Sequence, residues 1–185
     1  MHDLNNLKIL ITKEEIERKV KGLSKKIEED YPNPENLLFI GILKGAFVFL
    51  ADLIRNLNFP VEVDFIELSS YGDKVHSSGE IKVVQGLEKG IKDKDIIIVE
   101  DIIDSGHTMS FLLNHLKKKT PKSLKICSLT SKPARRKKRV KIDYLGFEIP
   151  NKFVVGYGMD YDGKYRNLPE IHYLEGLENE AKKFD

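Results

Sequence analysis

The stretch Ile96-Ile97-Ile98-Val99-Glu100-Asp101-Ile102-Ile103-Asp104-Ser105-Gly106-His107-Thr108 decides how the chain is read. Four β-branched apolar residues in a row, with no polar alternation, form a strand buried on both faces, as in the middle of a parallel sheet. That strand is predicted over Asp95 to Val99, and it delivers Glu100 and Asp101 side by side at its carboxyl end. Asp104-Ser105-Gly106-His107-Thr108 then opens a helix predicted from His107 to Lys119, with Phe111, Leu112, His115 and Leu116 turned inward. Three carboxylates crowded into a crevice raise one another's pKa and destabilise the fold unless a cationic or hydroxyl-rich ligand relieves them. Ser105, Gly106 and Thr108 add hydroxyls and backbone N–H groups at a helix start, a setting suited to a phosphate dianion. A helix cap with a solvated acidic turn would account for Asp104 and Ser105. It leaves the Glu100–Asp101 pair unexplained, so the strand end reads as a place for sugar and phosphate.

Outward from this stretch the pattern is strand, short loop, helix. Thr12 and Glu15 have capping-box spacing, and Ile16, Val20, Leu23 and Ile27 recur at helical intervals until Pro32 and Pro34 forbid continuation. Leu37 to Leu43 is a buried strand, broken by Lys44-Gly45, and Ala46 to Leu57 is a helix. Val61 to Ile66 alternates as a half-exposed strand does, Ser69 to Gly79 lacks any period and reads as a loop, and Ile81 to Gln85 is a short strand. Leu124 to Thr130 and Phe153 to Val155 complete the strand inventory. The fold class is α/β, a mostly parallel sheet covered by helices on both faces. Ligands of such sheets bind outside the carboxyl ends of the strands, so the informative residues follow Leu43, Val99, Thr130 and Val155.

Composition narrows the class further. A chain of 185 residues fits one domain. With 31 basic against 29 acidic residues, any affinity for nucleic acid must come from local clustering, for which Arg135-Arg136-Lys137-Lys138-Arg139 is the candidate. The single cysteine, Cys127, lies in an apolar strand and has no internal partner, which suits a reducing compartment. The amino terminus lacks the basic start and apolar stretch of a signal peptide, and no apolar run approaches the roughly 18 residues that span a bilayer. A cytoplasmic protein with no membrane partner is expected.

Val99 to Thr108 resembles the phosphoribosyl diphosphate signature of the type I phosphoribosyltransferases, in the variant of the hypoxanthine-guanine phosphoribosyltransferases. Nearly the whole chain resembles the bacterial form. Leu43-Lys44-Gly45-Ala46-Phe47 is similar to the family's pyrophosphate loop, Ser70-Tyr71-Gly72 to the start of its mobile loop, and Gly146 to Pro150 through Asp160-Tyr161 to its base-binding region. Lys164-Tyr165-Arg166-Asn167-Leu168-Pro169 is similar to its carboxyl-terminal motif. The resemblance implies one domain over residues 1–185, with a core of about 35–150 and a small hood from the amino-terminal segment and about 150–185.

The activity so implied is purine salvage: 5-phosphoribosyl passes from phosphoribosyl diphosphate to N9 of hypoxanthine or guanine, giving IMP or GMP and pyrophosphate. Glu100 and Asp101 would hold the ribose hydroxyls, directly or through Mg²⁺, and their field would favour an oxocarbenium-like transition state. Asp104 would accept the proton of purine N7, and with Ser105, Gly106, His107 and Thr108 would bind the 5′-phosphate, His107 as a spectator. Lys44, Gly45 and Arg166 would meet the pyrophosphate, the family's loop at Lys44 containing a cis peptide. On composition alone Lys44 and Arg166 read equally as surface cations. Phe153 would stack on the purine, Lys132 donate to its 6-oxo group and Val154 offer backbone hydrogen bonds. Asp160 would border the base and join Glu100 and Asp101 at Mg²⁺, and Ser70 and Tyr71 would belong to the mobile loop. A homo-oligomer, dimer or tetramer, is implied, with xanthine use left open.

Two other readings share the phosphate loop. A regulator of the pyrimidine-operon RNA-binding type would use the basic run, but its signature has a bulky residue where this chain has Asp104. An enzyme acting on adenine, uracil or orotate would not need Asp104 together with Lys132 and Phe153. The chain also departs from the family at Ser131, where many relatives carry an acidic residue, and in a long polar tail after Leu174.

Overall fold

In the computed structural model, which describes residues 7–71, 80–88 and 90–174, the chain opens with β1 (Leu7–Ile11), α1 (Lys13–Asp30), β2 (Leu37–Leu43) and α2 (Phe47–Arg55). It continues through β3 (Glu62–Tyr71), β4 (Glu80–Gln85), β5 (Asp95–Ile103) and α3 (His107–Lys117). β6 (Ser123–Ser131), a 3₁₀ turn (Pro133–Arg135), β7 (Tyr144–Glu148), β8 (Val154–Val155) and β9 (Ile171–Leu174) follow. None of the described helices is long and apolar enough to cross a membrane.

Thr12 and Glu15 cap α1 reciprocally: Thr12 N–H donates to Glu15 Oε2 at 2.9 Å and Glu15 N–H to Thr12 Oγ1 at 3.3 Å. The face predicted for burial, Ile16, Val20, Leu23 and Ile27, is the one that packs inward. The six-stranded sheet has the order β4-β3-β2-β5-β6-β7, parallel except where β3 meets β4. Alternate residues of its central strands feed two cores. Phe39, Ile97 and Val99 face the core shared with α1 and α2, whereas Ile40, Ile96 and Ile98 face the one shared with α3. Cys127 is wholly buried in β6, and burial pushes its thiol well above the ordinary range.

Several expectations shift. β5 does not stop at Val99 but runs on to Ile103, because β6 continues to pair with it through Glu100↔Ser128, Ile102↔Thr130 and Ile103↔Ser131. Ser69 to Tyr71, expected as loop, are the end of β3, paired with Lys82, Ile81 and Glu80. On α3 the buried residues are Met109, Leu112 and Leu116, while Phe111 and His115 stack on each other, 6.2 Å between ring centroids, on a half-buried flank. Val154–Val155 is a strand, yet it pairs antiparallel with β9 in a separate three-stranded sheet, β1-β9-β8, instead of lengthening the parallel one. β1, β7 and β9 had no expected counterparts.

The chain order reverses between β2 and β5, which are adjacent and parallel in the sheet. At such a switch point the loops leave in opposite directions and open a crevice at the carboxyl ends. That crevice holds the ends of β2 and β5.

Candidate active site

Glu100 and Asp101 stay inside β5 and are each only 8% exposed. Burial, and then the Asp101 charge beside it, push the Glu100 carboxyl well above its ordinary range. A strand end carrying this load favours a cationic ligand.

The loop after β2 closes over Asp101. Leu43–Lys44 is a cis peptide, and at Gly45 a Cβ would fall on the Asp101 carboxylate, so only glycine lets the backbone approach so closely. Gly158, at φ +100°, presses in turn against the Gly45 carbonyl. Its own carbonyl accepts from Arg166 Nη1 at 2.7 Å, and Arg166 Nη2 meets Asp160 Oδ1 at 2.7 Å. Asp160 Oδ2 accepts from Gly163 N–H at 2.8 Å. Three distant segments thereby meet at one strand end, with Arg166 aimed by a carbonyl and a carboxylate.

Beside them lies a cavity of about 310 Å³ lined by Lys44, Gly45, Asp101, Asp104, Lys132, Phe153, Val154, Asp160 and Arg166. Nine residues named from the sequence therefore share one space. Lys132 follows β6 directly; its N–H donates to Ile103 O at 3.0 Å, and its side chain is only 6% exposed. A lysine so buried has given up much of its hydration and needs oxygen partners. Phe153 is half-buried and meets Tyr161 edge-on, 5.3 Å between centroids. Asp104 Oδ2 stands 3.9 Å from Lys132 Nζ, and Oδ1 lies 2.9 Å from Arg135 Nε. The second contact is an ion pair without alignment: among the described residues Oδ1 has no hydrogen-bond partner although it is buried.

A second cavity, about 220 Å³, adjoins the first and shares Asp101, Ile102 and Asp104 with it. Glu100, Ser105, Gly106 and Thr108 line it as well. Gly106 caps α3 at φ +83°, and a Cβ there would lie 2.6 Å from Lys138 O, so the turn demands glycine twice over. The N–H groups of the first turn of α3 have no intrahelical acceptor, and no acidic residue occupies that turn, an arrangement that favours an anion. His107 is exposed and borders neither cavity. Ser70 and Tyr71 end β3, but their side chains, like the rest of the expected mobile loop at 72–79, lie outside the described residues.

Ile102, Met159 and Arg135 also line the larger cavity and were not singled out beforehand. Ile102 and Met159 carry no chemical signal. Arg135 was hidden in the basic run, although its spacing three residues after Lys132 is the distance one tight turn covers. Arg136, next in the run, also points inward, donating from Nη2 to Ile103 O at 3.1 Å and to Ser131 Oγ at 2.7 Å.

The donor set suits a magnesium ion of the sort that leans on substrate oxygens. Glu100 and Asp101 offer hard carboxylate oxygens whose mutual repulsion a divalent cation would relieve. Among the described residues no group of three or more His, Cys, Asp or Glu side chains is gathered for a metal, so the remaining ligands would have to be substrate or water.

A parallel sheet thus brings together an acidic strand end, a helix start that favours an anion and a glycine loop. Residues 8–162 match the phosphoribosyl transferase domain, and the chain belongs to that family. A hypoxanthine-guanine phosphoribosyltransferase of Bacillus subtilis (strain 168) is 47% identical over 174 residues, 94% of this chain and 95% of its own. One from Aquifex aeolicus (strain VF5) is 46% identical over 91% of this chain and 95% of its own. The crystal structure of a hypoxanthine-guanine phosphoribosyltransferase from Bacillus anthracis str. 'Ames Ancestor' superposes with a TM-score of 0.85 at 46% identity, covering 90% of this chain and 98% of that one.

Proposed function

We propose that this protein transfers 5-phosphoribosyl from phosphoribosyl diphosphate to N9 of hypoxanthine or guanine, releasing IMP or GMP and pyrophosphate. The observation that carries the reading is the sharing of one cavity by Lys132, Phe153, Asp104, Arg166 and Gly45. Lys132 donates to the 6-oxo oxygen, and Phe153 stacks on the ring. Val154, in β8, offers its backbone to the ring edge, and the small sheet acts as the hood over the base. Adenine has an amino group at position 6 and would set a donor against the lysine where a 6-oxo group sets an acceptor.

Asp104 accepts the proton from N7 while N9 bonds to C1 of the ribose and the C1–oxygen bond breaks, its electron pair leaving with pyrophosphate. Glu100 and Asp101 hold the ribose hydroxyls, and their field favours the positive charge that develops on the sugar. The amides of Ser105 to Thr108 bind the 5′-phosphate. Arg166, Lys44 and the Gly45 backbone meet the pyrophosphate. Glu100 and Asp101 would hold magnesium, which would supply charge neutralisation for the diphosphate. Asp160 would join them, its two oxygens also meeting Arg166 and Gly163 N–H. The mobile loop that the family likeness starts at Ser70 and Tyr71 would cover the site during turnover, excluding water.

The reading extends to a cytoplasmic homo-oligomer, dimer or tetramer, whose size sedimentation would measure. The basic run is not assigned to nucleic acid, since Arg135 and Arg136 spend their guanidinium groups on the site. Turnover with hypoxanthine, guanine, xanthine, adenine and uracil, with and without Mg²⁺, tests the proposal. Nucleotide should form from hypoxanthine or guanine only with the metal present. Absence of product with every 6-oxopurine would refute the reading, and RNA binding without turnover would favour the regulator.

A further inference from the structure

The basic run is the one motif that the proposed reaction leaves unused. Its first four residues and Lys132 wrap the loop that carries Asp104. Ile103 O accepts from Lys132 N–H at 3.0 Å and from Arg136 Nη2 at 3.1 Å, and Ser105 O accepts from the N–H groups of Lys137 and Lys138, both at 2.9 Å. The two chain neighbours of Asp104 are thus each tied twice to this one segment, with Asp104 between them. The segment itself is stiff. Pro133 starts its 3₁₀ turn, Arg135 N–H donates to Lys132 O at 3.1 Å, and Arg136 N–H to Pro133 O at 3.1 Å.

From this braced turn the side chain of Arg135, 11% exposed, brings Nε to 2.9 Å from Asp104 Oδ1. The contact is one of charge, because Oδ1 has no aligned hydrogen-bond donor among the described residues. It holds the carboxylate by its buried oxygen. The alternative partner is Lys132, whose Nζ is 3.9 Å from Oδ2. Closing that gap would take the lysine from the 6-oxo oxygen and the carboxylate from N7 together.

We infer that Arg135 is a positioning residue: it clamps Asp104 from the braced turn, holds the carboxylate where the purine meets it, and keeps it apart from Lys132. The inference rests on the proposed role of Asp104 as acceptor of the N7 proton. In that step the proton leaves N7 for a carboxylate oxygen, the N–H pair stays in the ring, N9 supplies the new bond to C1, and pyrophosphate leaves with the old one. Nothing in it requires Arg135 to touch substrate.

The test is a double-mutant cycle on turnover of hypoxanthine with phosphoribosyl diphosphate and Mg²⁺. Arg135→Gln should lower kcat about ten-fold, as expected for a misplaced catalytic group, with KM for phosphoribosyl diphosphate unchanged. Arg135→Lys should recover most of the loss. In an Asp104→Asn background, Arg135→Gln should add less than about two-fold, the sign that the arginine acts through the aspartate. Turnover of Arg135→Gln within two-fold of the parent, or an equal loss in both backgrounds, would overturn the inference and leave the Asp104 reading standing. Full turnover by Asp104→Asn would instead remove that reading, and this one with it. If circular dichroism shows Arg135→Gln unfolded, Arg135→Met, which keeps the apolar stem, takes its place under the same expectations.

Discussion

The two ends of β5 carry carboxylates only five residues apart, yet they meet opposite fates. At the amino end, burial would raise the Asp95 carboxyl, but hydrogen bonds from Lys122 at 2.8 Å and Ser123 at 2.6 Å outweigh it and hold the group below its ordinary range. Nearby, Asp30 accepts from Tyr144 at 2.6 Å and Lys125 at 3.0 Å, and is lowered in the same way. At the carboxyl end, burial and Asp101 drive Glu100 up. One end of the sheet satisfies its charges and contributes stability. The other leaves them in conflict, the pattern expected where function competes with folding.

The contrast can be broken most severely at Asp104. Asp104→Asn should retain substrate binding, read by calorimetry, while kcat falls about 10²- to 10⁴-fold, the usual worth of a positioned proton acceptor. Unchanged turnover would end its catalytic role. Next comes Gly45→Ala, whose Cβ must displace the Asp101 carboxylate. A loss of about 10²-fold in kcat/KM is expected, as for a displacement of about 1 Å at a reacting centre. A variant with parental kinetics would mean that the loop relaxes freely.

Two smaller effects concern stability, and their signs are opposite. Because the folded-state pKa of Glu100 is raised, stability is fully present below the unfolded carboxylate value of about 4.3 and declines as pH rises toward the folded one. Glu100→Gln should remove that decline and raise Tm at pH 7 by about 2–4 °C, the shift that about 1 kcal/mol gives in a chain of this size, while turnover drops. Asp95 runs the other way: its lowered pKa contributes stability above about 3.9 that is lost as pH falls through the folded value. Asp95→Asn should lower Tm at pH 7 by about 2 °C with turnover intact, the Lys122 end of the bridge being largely exposed. Thermal melts from pH 3 to 8 separate the two cases, and parallel slopes for both variants would contradict the contrast.

What the sequence disclosed follows the range of the forces involved. The capping box, the buried stripe of α1 and the apolar runs of β2 and β5 are local patterns, legible without a partner. Where β5 ends depended on β6, whose pairing carries the strand through two charged residues that by themselves look like a turn. Val154–Val155 could be read as a strand, but not as a partner of Tyr173 and His172, a pairing fixed only by tertiary folding. Lys132, Phe153 and Arg166 were named through family likeness, since taken singly each reads as an ordinary core or surface residue. Arg135 escaped because five consecutive cations look solvated, and the carboxylate that selects it lies thirty-one positions away in the chain.

Cys127 turns the interior of β6 into a practical advantage. It is the only thiol in the chain, it is sealed in the core, and burial keeps it protonated, so labelling reagents that need a thiolate find nothing to attack. A cysteine introduced on any exposed position, such as Lys137 beside the Asp104 loop, becomes the single reactive handle. A fluorophore attached there would follow occupation of the neighbouring cavity in real time, with no native background to subtract.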